Sequence, residues 1–256
     1  MEDLCCTLLR GTVYLREAVN SGTNTNPLLP VGNVTEFSIS HEVTEVTQAN
    51  YQSLGGTACK VSYVESADLN MTIGCLKARN WALATQGNGS YDNVAIDTVT
   101  DEAHTVNAQG ELIEFANVPD QSIAVEVTDS AGTTTYDEGD DYIRVPAGIE
   151  IVVGGAITAA TDILVDYGYG ANTLIGALTT GQKEFEVVFS GVNEGETGQR
   201  PTKFKAYRVK FNPTEEISLL GDEFATLTVT GELLRDSSKM DAGAGQFYFL
   251  EFGKVA

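Results

Sequence analysis

The sequence predicts an almost entirely β fold with one flanking α-helix and a second β-sandwich set into the first. Apolar and polar residues alternate from end to end, as in strands buried on one face. Helical patterning occurs once. Charge is unevenly spread: residues 97–171 hold 15 Asp and Glu against a single base, Arg144, and so carry −14 of a total −21.

Thr12 to Ala18 alternates through Val13 and Leu15, and Val34 to Val46 carries Phe37, Ile39, His41 and Val43 on one face. Lys60 to Val64 and Ala67 to Ile73 follow, the second with Leu69, Met71 and Ile73 in register. Leu76 to Thr85 has strong helix formers and stops before Gly87, which predicts a helix that lays Trp81 on a sheet. From Asp97 to Ala171 the strands are short: Glu111 to Val118, Ser122 to Thr128, Tyr142 to Val145, Ile149 to Val153 and Ile163 to Tyr169. Gly132, Gly139 and Gly154-Gly155 punctuate them at sandwich spacing. With the charge break, this predicts a separately folded acidic domain at 97–171 inside a core made of 1–96 and 172–256. Long strands resume at Glu184 to Gly191, Lys203 to Phe211, Glu215 to Leu220, Phe224 to Leu234 and Gln246 to Phe252, and these need the N-terminal strands to complete a sheet.

The 256 residues suffice for one large β domain or two small ones. With 15 Lys and Arg against 36 Asp and Glu, adhesion to phosphate backbones or anionic lipid is opposed. Met1-Glu2-Asp3 puts acid where a signal peptide needs base, and no apolar run approaches the length of a bilayer span. A soluble chain made and first used in the cytosol is expected. Cys5, Cys6, Cys59 and Cys75 have neither C-x-x-C spacing nor neighbouring histidines, so they read as small buried hydrophobes, with Cys5 and Cys6 exposed if any are.

Enzyme chemistry has little raw material. His41 falls in register on a strand, and His104 reads as solvated at the edge of the acidic stretch, so a Ser or Cys nucleophile has no evident base. Gly191-Val192-Asn193-Glu194-Gly195 is acidic, and no Gly-Lys-Ser or Gly-Lys-Thr follows to cradle a phosphate. Asp137-Glu138-Gly139-Asp140-Asp141 gathers carboxylates without the alternating spacing or closing Glu of a calcium loop, and reads as a solvated turn. Neither catalytic residues nor a cofactor or metal is expected.

Several segments, in order, resemble the tail tube proteins (major tail proteins) of long-tailed bacteriophages. Gly32-Asn33-Val34-Thr35-Glu36-Phe37 running into His41-Glu42-Val43-Thr44-Glu45-Val46 is similar to that family's opening strand. Ala67-Asp68-Leu69-Asn70-Met71-Thr72-Ile73, then Asn80-Trp81-Ala82-Leu83-Ala84, looks like its strand-then-helix element. Phe189-Ser190-Gly191-Val192-Asn193 and Val209-Lys210-Phe211-Asn212-Pro213 resemble its F-x-G-x-N and v-x-F-x-P strands, and Leu227 to Asp236 its closing strand. The resemblance covers most of 12–96 and 172–252.

It implies a barrel-forming β-sandwich whose copies build stacked hexameric rings, a hollow tube located in the virion and assembled in the host cytoplasm. The implied partners are further copies of the chain, a tape measure protein in the lumen, and tail terminator and distal tail or baseplate proteins at the ends. Genomic DNA would pass through without being bound, and no membrane is involved. Residues 97–171 depart from the minimal pattern and resemble the Ig-like decorations that tail proteins carry outside, where their acid would keep virions apart. In the family the connection matching Thr47 to Cys59 reaches neighbouring subunits. Thr47, Gln48, Asn50, Tyr51, Leu54, Gly55 and Gly56 are therefore expected contacts, with Tyr51 and Leu54 as anchors and the glycines allowing the bend. Lys203, Lys205, Arg208 and Lys210 are expected to meet acids such as Glu42 and Glu45 of a neighbour. The rival reading is an Ig-like or jelly-roll carbohydrate-binding adhesin, using Tyr136, Tyr142, Tyr167 and Tyr169. A related secretion-system tube subunit is a third.

Overall fold

The computed structural model describes residues 6–19, 24–51, 55–87, 92–195, 199–239 and 245–254. In chain order the elements are β1 (Leu9–Glu17), β2 (Leu29–Pro30), β3 (Val34–Ala49), β4 (Thr57–Ile73), α1 (Ala78–Thr85), β5 (Asp92–Val94) and β6 (Asp97–Val106). There follow β7 (Leu112–Glu114), β8 (Glu126–Asp129), β9 (Thr135–Tyr136), β10 (Tyr142–Val145), β11 (Gly148–Ile151) and β12 (Thr161–Tyr169). The chain ends with β13 (Asn172–Leu174), β14 (Glu184–Asn193), β15 (Arg200–Phe211), β16 (Leu227–Leu233) and β17 (Tyr248–Phe252). The fold is thus mostly antiparallel β-sheet with one short helix among the described residues. It divides into two compact units, Met1–Ser90 with Ile175–Ala256, and Tyr91–Leu174.

In the first unit the sheet order is β2-β1-β14-β15-β16-β4-β3, and β17 also pairs with β15, beside β16. The sheet is open at β2 and β3. Strict alternation makes one face apolar: Leu69, Met71 and Ile73 of β4 are fully buried, as are Leu227 and Val229 of β16 to within 1 %. Each such side chain contributes roughly 1.5–3 kcal/mol on leaving water. The sheet curls, so that Phe37 of β3 stacks on Phe189 of β14 at 6.1 Å and meets Phe204 of β15 edge-on at 5.5 Å. Helix α1 packs through Ala82 and Ala84, and its buried Asn80 is satisfied by donating to the Val31 and Cys75 carbonyls, both at 2.7 Å. Gln86 closes the helix in the left-handed conformation (φ 50°), and the Gly87 N–H donates to the Ala82 carbonyl at 2.8 Å. The helix is shorter than the expected Leu76 to Thr85, and Trp81 is half-buried against the core.

The second unit stacks the four-stranded sheet β6-β12-β8-β9 on the three-stranded sheet β10-β11-β7. Val106, Val127, Ile149, Ile151, Ile163 and Val165 fill the space between. It is a two-sheet sandwich, but not in the immunoglobulin order, where the first strand pairs with the second. Here the first long strand, β6, pairs with the last, β12, because β12 buries Ile163, Val165 and Tyr167 and takes a partner on each edge. The short pair β5–β13, Asp92–Val94 with Asn172–Leu174, belongs to this unit, which places the boundary a few residues outside 97–171 on either side.

Other boundaries also move. Lys60 to Val64 and Ala67 to Ile73 are one strand, bent at a bulge where Glu42 pairs with Ser66 and Val43 with Val64, leaving Glu65 over. Strand β6 carries a segment with no strand expected, and Glu215 to Leu220 is loop rather than strand. No helix among the described residues is long and apolar enough to cross a membrane.

Candidate assembly surfaces

Strands β3 and β4 pair along nearly their whole length, from Val34 with Ile73 to Ala49 with Thr57. Only the inner part of β4 is covered by β16, which pairs with Asp68 to Ile73. Beyond the bulge the two strands continue alone as a ribbon whose outer edges pair with no other strand among the described residues. Along that ribbon alternation persists while burial stops. Register puts Thr44 beside Tyr63, Val46 beside Val61 and Gln48 beside Cys59 on the side away from the core. On this face Val46 is 57 %, Val61 63 % and Tyr63 52 % exposed, and Val43 and Val64 are comparably open on the other face.

The expected loop from Thr47 to Cys59 is thereby corrected. Thr47, Gln48 and Ala49 are the end of β3, and Thr57 to Cys59 the start of β4, because backbone pairing extends past the apolar pattern. Between the two strands, the Asn50 N–H donates to the Gly56 carbonyl at 2.8 Å. Gly55 and Gly56 take φ of 84° and 98°, a region that side chains other than glycine's rarely enter. Tyr51 is 92 % exposed at the tip, and Leu54 lies outside the described residues. Cys59, expected to be buried, is exposed on the ribbon, as is Cys6 near the N-terminus; Cys75 is half-buried. Cys5 lies outside the described residues.

The charges expected to face a neighbour are mostly engaged within the chain. Glu45 pairs with Lys60 across the ribbon at 2.6 Å, and Glu42 accepts from Ser66 at 3.5 Å. Lys205 pairs with Glu186 at 2.9 Å, and Glu186 also takes Arg16 at 2.7 Å. Arg208 binds Glu184, holding that carboxyl below its ordinary value through the hydrogen bond and the positive charge. Lys203 lies 4.0 Å from Glu251, and Lys210 lies opposite Glu184 in the β14–β15 register, where its charge also lowers the Glu184 pKa. The four bases share the face of β15 turned away from the buried Phe204, Ala206, Val209 and Phe211, because the bulge opposite the step from Phe185 to Val187 returns Arg208 and Lys210 to the side of Lys203 and Lys205.

One surface had no counterpart in the sequence reading. The connection from β15 to β16, residues 212–226, presents Leu219, Leu220 and Phe224 at 78 %, 94 % and 100 % exposure. Alternation of Ile217 and Leu219 reads as strand because a periodic pattern does not say whether the apolar side is covered.

The chemistry-bearing residues elsewhere serve the scaffold. His41 Nε2 lies 3.1 Å from the Tyr248 hydroxyl. His104, expected to be solvated, is half-buried on β6, with Nε2 2.9 Å from Glu102 and its ring over Phe115. In the acidic turn, Asp141 accepts from the Asp137 and Ala156 N–H groups at 3.0 and 2.6 Å, and Glu138 pairs with Arg144 at 2.7 Å. No group of three or more His, Cys, Asp or Glu among the described residues is placed to hold a metal ion.

Residues 6–251 match the model of a family described as Protein of unknown function UCP028589, and the chain belongs to that family. No curated protein matches it.

Proposed function

We propose that this chain is a structural subunit that assembles with copies of itself into rings stacked as a tube, in the manner of the tail tube proteins its sequence resembles. The observation that carries the reading is the β3–β4 ribbon. A two-stranded ribbon alone in water is marginal, and its two open edges with exposed Val46, Val61 and Tyr63 would invite aggregation in a chain meant to stay single. A neighbour supplying strands to those edges and apolar cover to that face removes both problems. Repeated around an axis, such pairing closes the sheet edges into a ring.

The acidic balance fits a conduit for a polyanion, since each fixed cation along the wall would release counterions and hold the strand. In the adhesin reading the tyrosines would stack on sugar, but Tyr142 and Tyr167 are each 2 % exposed and Tyr136 and Tyr169 pack against the same core. Negative-stain microscopy and sedimentation of the purified chain test the proposal. Rings or tubes that grow with concentration are expected, and a chain that stays monomeric at every concentration rejects it.

A further inference from the structure

The β15–β16 connection is fixed at its base and bare at its tip. Asn212 and Thr214 donate backbone N–H groups to the Thr230 and Ala84 carbonyls, both at 2.8 Å, and the Thr214 hydroxyl donates to the Thr228 carbonyl at 2.7 Å. Ile217 packs on the core. Past it, Leu219, Leu220 and Phe224 stand almost wholly in water among Glu215, Glu216, Asp222 and Glu223, with no base in the segment. A long connection that spends three large apolar side chains on solvent is built for a contact.

The same unit carries a surface of complementary chemistry. On the outer face of β15, Lys203 Nζ lies 5.3 Å from the centre of the Phe249 ring, and Lys205 and Lys239 lie 5.9 and 5.5 Å from that of Tyr207. The result is a partly open aromatic floor with ammonium groups over and around it. The loop is not lying on its own strip, because its tip is exposed. The apolar face of the β3–β4 ribbon is the competing seat, but among the described residues it carries Glu42 and Glu65, the latter against Thr44, and no base, so it would repel four acids. The acids beside the strip, Glu186 and Glu251, are paired with Lys205 and Lys203; the open Lys203–Glu251 pair exchanges partners at little cost, while Lys205 keeps the buried Glu186, whose charge Arg16 also offsets.

We propose that the acidic loop at residues 212–226 docks on the Lys203, Lys205 and Lys239 strip of a second copy of this chain, with Leu219, Leu220 and Phe224 seated against Tyr207 and Phe249. Loop and strip are different surfaces, so the contact is head-to-tail and can repeat from copy to copy. The inference rests on the self-assembling reading above and names its partner surfaces.

The test compares assembly thresholds by sedimentation velocity, with negative-stain images of each sample. The wild type is expected to assemble. A Leu219→Ser, Leu220→Ser, Phe224→Ser chain should keep the wild-type unfolding midpoint, since all three side chains are exposed, yet need a concentration at least about tenfold higher, equivalent to about 1.4 kcal/mol of contact. Reversal of the loop (D222K, E223K) and reversal of the strip (K203E, K239E) should each raise the threshold, and a chain carrying both reversals should recover. Assembly of the triple variant at the wild-type threshold, or no recovery in the combined reversal, overturns the docking while leaving the tube reading standing. A wild type that never assembles rejects both.

Discussion

Arg208 holds Glu184 with two parallel hydrogen bonds, Nε to one carboxylate oxygen at 2.8 Å and Nη2 to the other at 3.0 Å. The pair ties β15 to β14 at the end of the sheet where Glu184 opens β14. Bidentate geometry makes it stronger than an ordinary surface pair, although Arg208 remains partly solvated. Because the Arg208 hydrogen bond lowers the folded pKa of Glu184 from 4.5, its stabilisation is complete above the unfolded carboxylate value and is lost as pH falls through the lowered one. Glu184→Gln should therefore cost about 1 kcal/mol or less at neutral pH, and its urea midpoint should converge on the wild type's in acid. A constant difference from neutral to strongly acidic pH would remove the ion pair as the cause.

The second unit should be dispensable for folding of the first, since each has its own apolar core. Replacing residues 97–170 with a short Gly/Ser bridge keeps the β5–β13 pair as a stem. The shortened chain should remain soluble, lose −14 of its charge, and still form rings. Insolubility, or loss of the β14–β15 amide protection in hydrogen exchange, would show that the second unit is needed for the first to fold.

Inside that unit the Tyr167 hydroxyl donates to Glu102 at 2.7 Å and accepts from the Asn117 N–H at 3.1 Å. The other Glu102 oxygen takes the Ala116 N–H at 3.0 Å and lies 2.9 Å from His104. Tyr167→Phe keeps the ring stacked on Phe115 but strands a carboxylate oxygen and an amide, a loss of about 1–3 kcal/mol. Amide exchange should quicken in β6 and β12 and stay unchanged in β14 and β15. Equal acceleration in both units would mean that they unfold as one.

How far the sequence could be read follows from where burial writes a signal. Leu69, Met71 and Ile73 are buried on one face and were legible as a strand, as were the helix ahead of Gly87 and the charge break around the acidic unit. Strand β6 was missed because Asp101 sits at φ 55° within it and the bulge between Val165 and Tyr167 breaks the pattern opposite. The far end of the ribbon reads as a loop because Thr47, Gln48 and Thr57 are held by backbone pairing, which leaves no apolar trace. The internal pairing of Arg208 and Lys205 was equally hidden, since strand order decides which acid a base meets.

The ribbon makes the most direct prediction about assembly. Val46→Thr, Val61→Thr and Tyr63→Thr together remove the apolar surface from its outer face while keeping β-branched residues suited to strands. All three side chains are more than half exposed, so unfolding stability should shift by no more than about 0.5 kcal/mol per site. By contrast Met71→Ala, in the same strand but fully buried, should cost about 2–5 kcal/mol. The ribbon variant should thus be a well-folded monomer that does not build rings, whereas Met71→Ala should fail by unfolding. Tyr51→Ser, altering only the tip, separates the two parts of the hairpin: if the shaft faces make the contact it assembles normally, and if the tip is the anchor it does not. Rings from the triple variant at the wild-type concentration would show that the exposed valines and Tyr63 are not covered by a neighbour, and would leave the open strand edges alone to account for self-association.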